Sequence, residues 1–217
     1  MIQVNEEPAG NFLDFAALNR TPPVEDPFPF LVVPGFVKAA IRPQLAADYP
    51  AIDKPGSFPV GDLRFGPAFA GFLAALEGAA FREAMAEKFD IDLAGRPTMV
   101  TVRGRAQISD GQIHTDSRSK LVTVLIYMNE AWEAAGGRLR LLRSADSLEN
   151  AVAEVPPEAG TLLAFRVTEN SWHGHAPIEG PRRVVQLNWV ESQGVVRRER
   201  IRHGISARLK RLMPALG

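Results

Sequence analysis

The chain has 217 residues, 46% of them hydrophobic and 23% charged, and its 25 basic and 25 acidic side chains cancel. This is an ordinary globular composition, long enough to bury a substantial core and without a charge excess that would recruit nucleic acid. The absence of cysteine excludes disulfides, thiolate metal sites and a cysteine nucleophile. No apolar run reaches the length of a membrane span, and "MIQVNEEPAGNF" lacks the basic-then-apolar order of a leader, so the expected location is cytoplasmic.

Residues 1–96 read as a helical and loop region that packs on the core. "DPFPFLVVPGFV" (26–37) predicts a short strand leading into a helix near 36–47, where Pro43 fits only a first turn. "FGPAFAGFLAALEG" and "AAFREAMAEKFD" predict two amphipathic helices separated by Gly78, with Phe69, Phe72, Leu73, Leu76, Phe81, Met85 and Phe89 as core contacts.

After Pro97 the period changes. "TMVTVRGRAQI", "LVTVLIYMN", "GGRLRLL", "GTLLAFRV" and "RRVVQLNWV" are short β-rich runs bounded by Gly, Pro, Asn or Asp, with one helical pattern between them in "DSLENAVAEV". Closely spaced strands of this kind predict a β-barrel or two-sheet jelly roll over residues 97–193. Residues 194–217 form a basic, arginine-rich tail in which Ile205, Leu209, Leu212 and Met213 recur at helical spacing. The expectation there is a short amphipathic helix packed on the domain with a solvated basic face.

The candidate chemistry begins at "QIHTDSRSK". In an extended segment His114 and Asp116 project to one face, so an imidazole and a carboxylate can reach one divalent ion. His173 and His175, in "NSWHGHAP", follow the strand "GTLLAFRV" and offer a second imidazole. Two histidines and one carboxylate leave open positions on a metal, an arrangement suited to Fe(II) oxygen chemistry or to catalytic zinc. In "PRRVVQLNWV", Arg183, Val185, Leu187 and Trp189 share one face, and Arg182, Val184, Gln186 and Asn188 share the other. The first face is apolar apart from Arg183, so it is expected to point inward, where a guanidinium requires an anionic partner.

In order, "HTD", "LVTVLIYMNEAW", "GGRLRLL", "GTLLAFRV", "WHGH" and "GPRRVVQLNW" resemble the catalytic core of the Fe(II)- and 2-oxoglutarate-dependent dioxygenases, in particular the prolyl 4-hydroxylase-like branch. The resemblance implies a mainly β fold, a double-stranded β-helix (jelly roll, cupin-like) with flanking helices. It implies Fe(II) held by His114, Asp116 and His173, and 2-oxoglutarate as cosubstrate, with ascorbate as a candidate reductant. In that family a basic residue binds the distal carboxylate of 2-oxoglutarate about ten positions after the second histidine and six before a tryptophan. That spacing selects Arg183 through Trp189, and His173 over His175, and leaves Arg182 pointing outward. Tyr127 matches a tyrosine that shares the carboxylate, and Thr123 and Leu125 lie on its face of the strand. The family's aromatic residue upstream of the first histidine is missing; Arg103, Gly104 and Arg105 stand in that region.

The implied activity couples oxidative decarboxylation of 2-oxoglutarate, with O2, to hydroxylation of a small-molecule or peptidyl substrate. Peptide, amino acid, saccharide and lipid all fit the residues. No nucleic-acid partner and no membrane span are expected. Two rival readings use the same barrel: a zinc-dependent hydrolase, and a non-catalytic module that binds a metal or a partner.

Overall fold

The computed structural model describes residues 12–199, so the amphipathic helix expected over 205–217 lies outside the described residues. Among the described residues, nine strands and the helices that precede them or lie between them run in the order α1 (Phe15–Arg20), β1 (Phe30–Val33), α2 (Arg42–Asp48), β2 (Phe58–Pro59), α3 (Pro67–Glu77), α4 (Ala79–Phe89), β3 (Thr98–Ala106), β4 (Lys120–Tyr127), β5 (Leu139–Leu142), β6 (Ala151–Val155), β7 (Leu162–Arg166), β8 (His173–Gly174) and β9 (Gly180–Val190). Short 3-10 turns intervene, and residues 193–199 are helical.

The strands form a six-stranded antiparallel sheet, β1-β7-β4-β9-β3-β2, and a three-stranded sheet, β6-β5-β8. A bridge from His114 to His173 adds a fourth extended segment to the smaller sheet. The two sheets face one another as a double-stranded β-helix. Two expectations change. The first ninety-six residues supply β1 and β2 to the larger sheet, so the β architecture begins well before Pro97. The segment "DSLENAVAEV" is a 3-10 turn followed by β6, because pairing with β5 overrides a weak helical periodicity.

Both faces of the large sheet are buried, against different surroundings. Val100, Val102, Val122, Val124, Ile126, Val185, Leu187 and Trp189 join Phe69, Phe72, Leu76, Phe81, Met85 and Phe89 of α3 and α4 in one apolar cluster. On the opposite face, Tyr127, Leu163, Phe165 and Val184 meet Leu139 and Leu141 of β5, Val155 of β6, and Phe28 and Phe30. The helices are therefore part of the core and not an appendage to it. Local chemistry positions them. Pro43 and Pro67 sit in the first turns of α2 and α3, where no amide donor is needed. Asp48, at the end of α2, accepts from the Ala68 amide at 2.7 Å and so caps α3. Gly66 is required there, because a Cβ would lie 2.2 Å from the Asp48 side chain.

Phe81 couples the helical layer to β9. Its ring is 5.5 Å from Phe36 and 5.8 Å from Trp189, and it is fully buried. Phe81→Ala should cost about 3–5 kcal/mol of stability, as expected for a large cavity in a packed core, and urea unfolding would measure the loss.

Candidate metal centre and cavity

The chain between β3 and β4 carries His114 and Asp116, and backbone hydrogen bonds pin it to the smaller sheet. His114 N donates to His173 O at 3.0 Å, and His173 N donates to His114 O at 2.9 Å. Residues paired in this way project to the same face of a sheet, and the two imidazoles emerge with ring centroids 4.4 Å apart. One step along, His175 N donates to Gly111 O at 2.9 Å. Gly111 adopts φ +91°, and a Cβ there would fall 2.4 Å from His175 Nδ1, so only glycine permits this approach.

Asp116, two residues beyond His114, turns its carboxylate to the same place. One donor atom from each of His114, Asp116 and His173 lies within 4.8 Å of the others, and among the described residues this is the group of donors placed so that it could hold a metal ion. Each ring is already oriented. His114 Nδ1 is 2.8 Å from Gln112 O, and His173 Nδ1 is 2.9 Å from Ser171 O. A carbonyl can only accept, so in the neutral ring Nδ1 carries the proton and Nε2 keeps the lone pair a metal needs. Burial depresses the pKa of His173 to about 4, against the opposing pull of Asp116; the ring is neutral and competent to ligate at physiological pH. Burial works against ionising Asp116 as well. The Lys120 ammonium, His173 and hydrogen bonds from Lys120 and Thr123 outweigh it and hold the carboxyl below its ordinary range. Lys120 Nζ lies 2.7 Å from Asp116 Oδ1, so a cation already rests against that oxygen.

A cavity of about 430 Å³ opens over these groups. Its floor consists of cross-strand rows of β3, β9 and β4: Met99, Asn188 and Thr123, then Thr101, Gln186 and Leu125. The next row holds Arg103, Val184 and Tyr127. Arg182 and His175 line the same cavity, as does Arg103, which pairs with Asp110 at 3.3 Å.

The structure reverses the expected orientation of the two arginines. Arg182 is 6% exposed and its guanidinium lies 5.6 Å from the centre of the Tyr127 ring, with Nε donating to Gly137 O at 3.0 Å. Arg183 is exposed and stacks at 5.2 Å over Tyr49. The physical reason is the covering of β9. Its apolar face packs on helices, so the cavity lies on the other, mixed face, where polar side chains find partners. Trp189 belongs to the helix side, and the face that contains it cannot reach the cavity. A bulge fixes the detail: Arg103 pairs with Val184 but Arg105 pairs with Pro181, so Arg182 and Arg183 together oppose Gly104. Asn129 clamps this bulge by accepting from Arg183 N at 2.7 Å and donating to Arg183 O at 3.2 Å.

Tyr127 sits at the closed end of the barrel, fully buried; the Arg182 guanidinium is the polar group near its hydroxyl, and the hydroxyl proton has no acceptor. Burial raises the phenol's pKa against the nearby Arg182 charge, keeping the group protonated. A buried phenol without an acceptor beside a buried guanidinium is costly in isolation. An anionic ligand group would satisfy both. Spacing alone did not bring out Lys120, Asn188 or Gln186; the usable signal was the pair of polar residues alternating with apolar ones in mid-strand β9.

Residues 105–191 match the family described as the 2OG-Fe(II) oxygenase superfamily. Solved structures agree on the fold. A Pseudomonas putida prolyl-4-hydroxylase superposes with a TM-score of 0.55 at 22% identity, over 75% of this chain and 86% of that one. The viral collagen prolyl hydroxylase of Paramecium bursaria Chlorella virus-1, in its 2OG complex, gives 0.53 at 16% identity, over 75% and 96%. HygX from Streptomyces hygroscopicus, with nickel and 2-oxoglutarate bound, gives 0.50 at 15% identity, over 76% and 82%. No curated protein matches the chain. Among the described residues, no helix is long and apolar enough to cross a membrane.

The depressed pKa of His173 has a measurable consequence in the metal-free protein. The unfolded chain takes up this proton near pH 6.5, whereas the folded chain refuses it until about pH 4. Between those values protons bind preferentially to the unfolded state, so stability should fall as the pH drops through this window. The full effect is on the order of 3 kcal/mol. Urea unfolding at pH 7 and pH 4.5 should show the loss in the wild type and a smaller one in His173→Gln.

Proposed function

We propose, from the match of residues 105–191 to the 2OG-Fe(II) oxygenase superfamily, that this chain is a hydroxylase whose iron is held by His114, Asp116 and His173. The observation that carries this reading is the convergence of those three donors in a cavity that also admits Arg182, beside the unpartnered hydroxyl of Tyr127. The donor set suits Fe(II): two neutral imidazoles and an ionised carboxylate leave open positions for a cosubstrate and O2. When bound, iron and 2-oxoglutarate together supply the oxidising power for hydroxylation of a C–H bond.

The chain's own residues bind, orient and exclude water. The Nδ1 hydrogen bonds of His114 and His173 direct both Nε2 lone pairs into the cavity. Arg182 and the Tyr127 hydroxyl take the distal carboxylate of 2-oxoglutarate, answering the guanidinium charge and the orphaned phenol with one group. Thr123 and Leu125 form the wall between that anchor and the metal. Leu163, Phe165 and Leu141 close the barrel behind Tyr127 and keep its end dry. This assigns to Arg182 the role that sequence spacing gave to Arg183. Arg103, Asp110 and His175 lie on the remaining side of the cavity and face the substrate. A zinc hydrolase has no use for a buried arginine and phenol beyond the metal, and a binding module has no need of them.

Arg182→Ala should keep divalent-ion binding and weaken 2-oxoglutarate by more than a hundredfold, because leaving one side of a buried charge pair typically costs about 3–5 kcal/mol. Tyr127→Phe should weaken it roughly ten- to a hundredfold, the worth of about 1.5–3 kcal/mol for a hydrogen bond to a charged group. Arg183→Ala should stay near wild type. Calorimetry with 2-oxoglutarate, alongside succinate formation, reads all three. Equal behaviour of the two arginine variants would remove Arg182 from the anchor. A wild-type protein that neither binds nor consumes 2-oxoglutarate would overturn the whole reading.

A further inference from the structure

Asp116 is the end of a longer polar chain. Its Oδ2 accepts from Thr123 Oγ1 at 2.5 Å, Thr123 Oγ1 accepts from Asn188 Nδ2 at 2.7 Å, and Asn188 Oδ1 accepts from Gln186 Nε2 at 3.0 Å. The polarity of this chain is forced from one end. An ionised carboxylate only accepts, so the single hydroxyl proton of Thr123 must go to Asp116. The Thr123 oxygen is then left to accept, so Asn188 must present its amide, and its carbonyl is turned back to Gln186. Thr123 and Asn188 are 1% and 3% exposed, so bulk water cannot take the place of either partner. They stand directly opposite one another across β4 and β9, with Gln186 next along the same face.

We infer that Thr123, Asn188 and Gln186 are positioning residues for the metal, a deduction that rests on the metal-site reading above. The relay commits Asp116 Oδ2 to Thr123 and leaves the ion Oδ1, an oxygen it would share with, or take over from, the Lys120 ammonium 2.7 Å away. It also stops the carboxylate from rotating. A free aspartate would have to give up that rotation when the ion binds, so the relay raises ion affinity by ordering the ligand beforehand. None of the three residues touches the ion; Asn188 acts only through Thr123, and Gln186 only through Asn188.

The test is ion binding by the full chain, stripped with a chelator and titrated with Co(II) in the absence of 2-oxoglutarate. Urea unfolding of the same metal-free samples runs in parallel. Wild type should bind one ion. Thr123→Val keeps the shape and removes the donor, and should weaken Co(II) binding ten- to a hundredfold, the usual effect of losing such an outer partner. Thr123→Ser restores the donor and should return affinity to within about threefold of wild type. Asn188→Leu should weaken binding by a smaller factor, and Thr123→Val with Asn188→Leu should bind no worse than Thr123→Val alone, because both act through one hydrogen bond. If Thr123→Val is too unstable to titrate, Asn188→Leu with and without Thr123→Ser carries the same comparison. Wild-type Co(II) affinity in Thr123→Val, or losses that add in the double variant, would overturn the relay. A wild-type chain that binds no divalent ion would instead overturn the metal site on which the relay rests.

Discussion

Two backbone hydrogen bonds join His114 to His173, and the chemistry of the cavity depends on them. They tie the long connection between β3 and β4 to β8, two stretches far apart in the chain. Because directly paired residues project alike, the bonds bring both imidazoles to one side. Asp116 follows two residues after His114 on the same extended segment, and hydrogen bonds from Thr123 and Lys120 fix its carboxylate beside them. The same register separates His175 from the metal group. Its backbone pairs with Gly111, and Arg182, Arg103 and Asp110 are the charges it feels, so it lies on the arginine side of the cavity.

The large sheet that backs the cavity is packed on both sides. Its helix-facing residues are almost all apolar, with the Trp189 indole N–H buried among them without a partner. Its inner face is divided along its length. Near Tyr127 it is closed by Leu163, Phe165 and Val184, and near Thr123 it is polar and opens to the cavity. Buried polar groups are tolerable where each finds a partner, and the inner face meets that condition through Gln186, Asn188, Thr123 and Asp116. The exception is the Tyr127 hydroxyl, at the point where an anionic ligand fits beside Arg182.

Electrostatics sorts the cavity into ends with different work. Around the metal group, Lys120 and Thr123 keep Asp116 ionised while burial keeps His173 neutral, so the ligand set is ready without a proton having to leave. At the inner end Arg182 is buried and held by the Gly137 carbonyl. At the rim Arg103 of β3 pairs with Asp110, which links the charge lining the cavity to the segment that carries His114 and Asp116.

Much of this was legible in the sequence. Period-two runs located β3, β4, β5, β7 and β9, the Gly78 break divided α3 from α4, and the HTD segment with the histidines after β7 named the groups that converge. Those features are local: alternation, punctuation and residue type act within a few positions. Which face of β9 looks into the barrel is not local. Arg183 shares its face with Val185, Leu187 and Trp189, and an apolar face reads as inward. α3 and α4 cover that face from outside, so the sheet has two buried sides, and the more polar one lines the cavity. A bulge opposite Gly104 then sets Arg182 beside Tyr127. Sequence by itself determined the strands and the residue types that converge in the cavity. Tertiary structure alone decided which arginine is buried there and how Gln186, Asn188 and Thr123 are linked by hydrogen bonds, because burial against another element, rather than hydrophobicity along a strand, selects the face that lines the cavity.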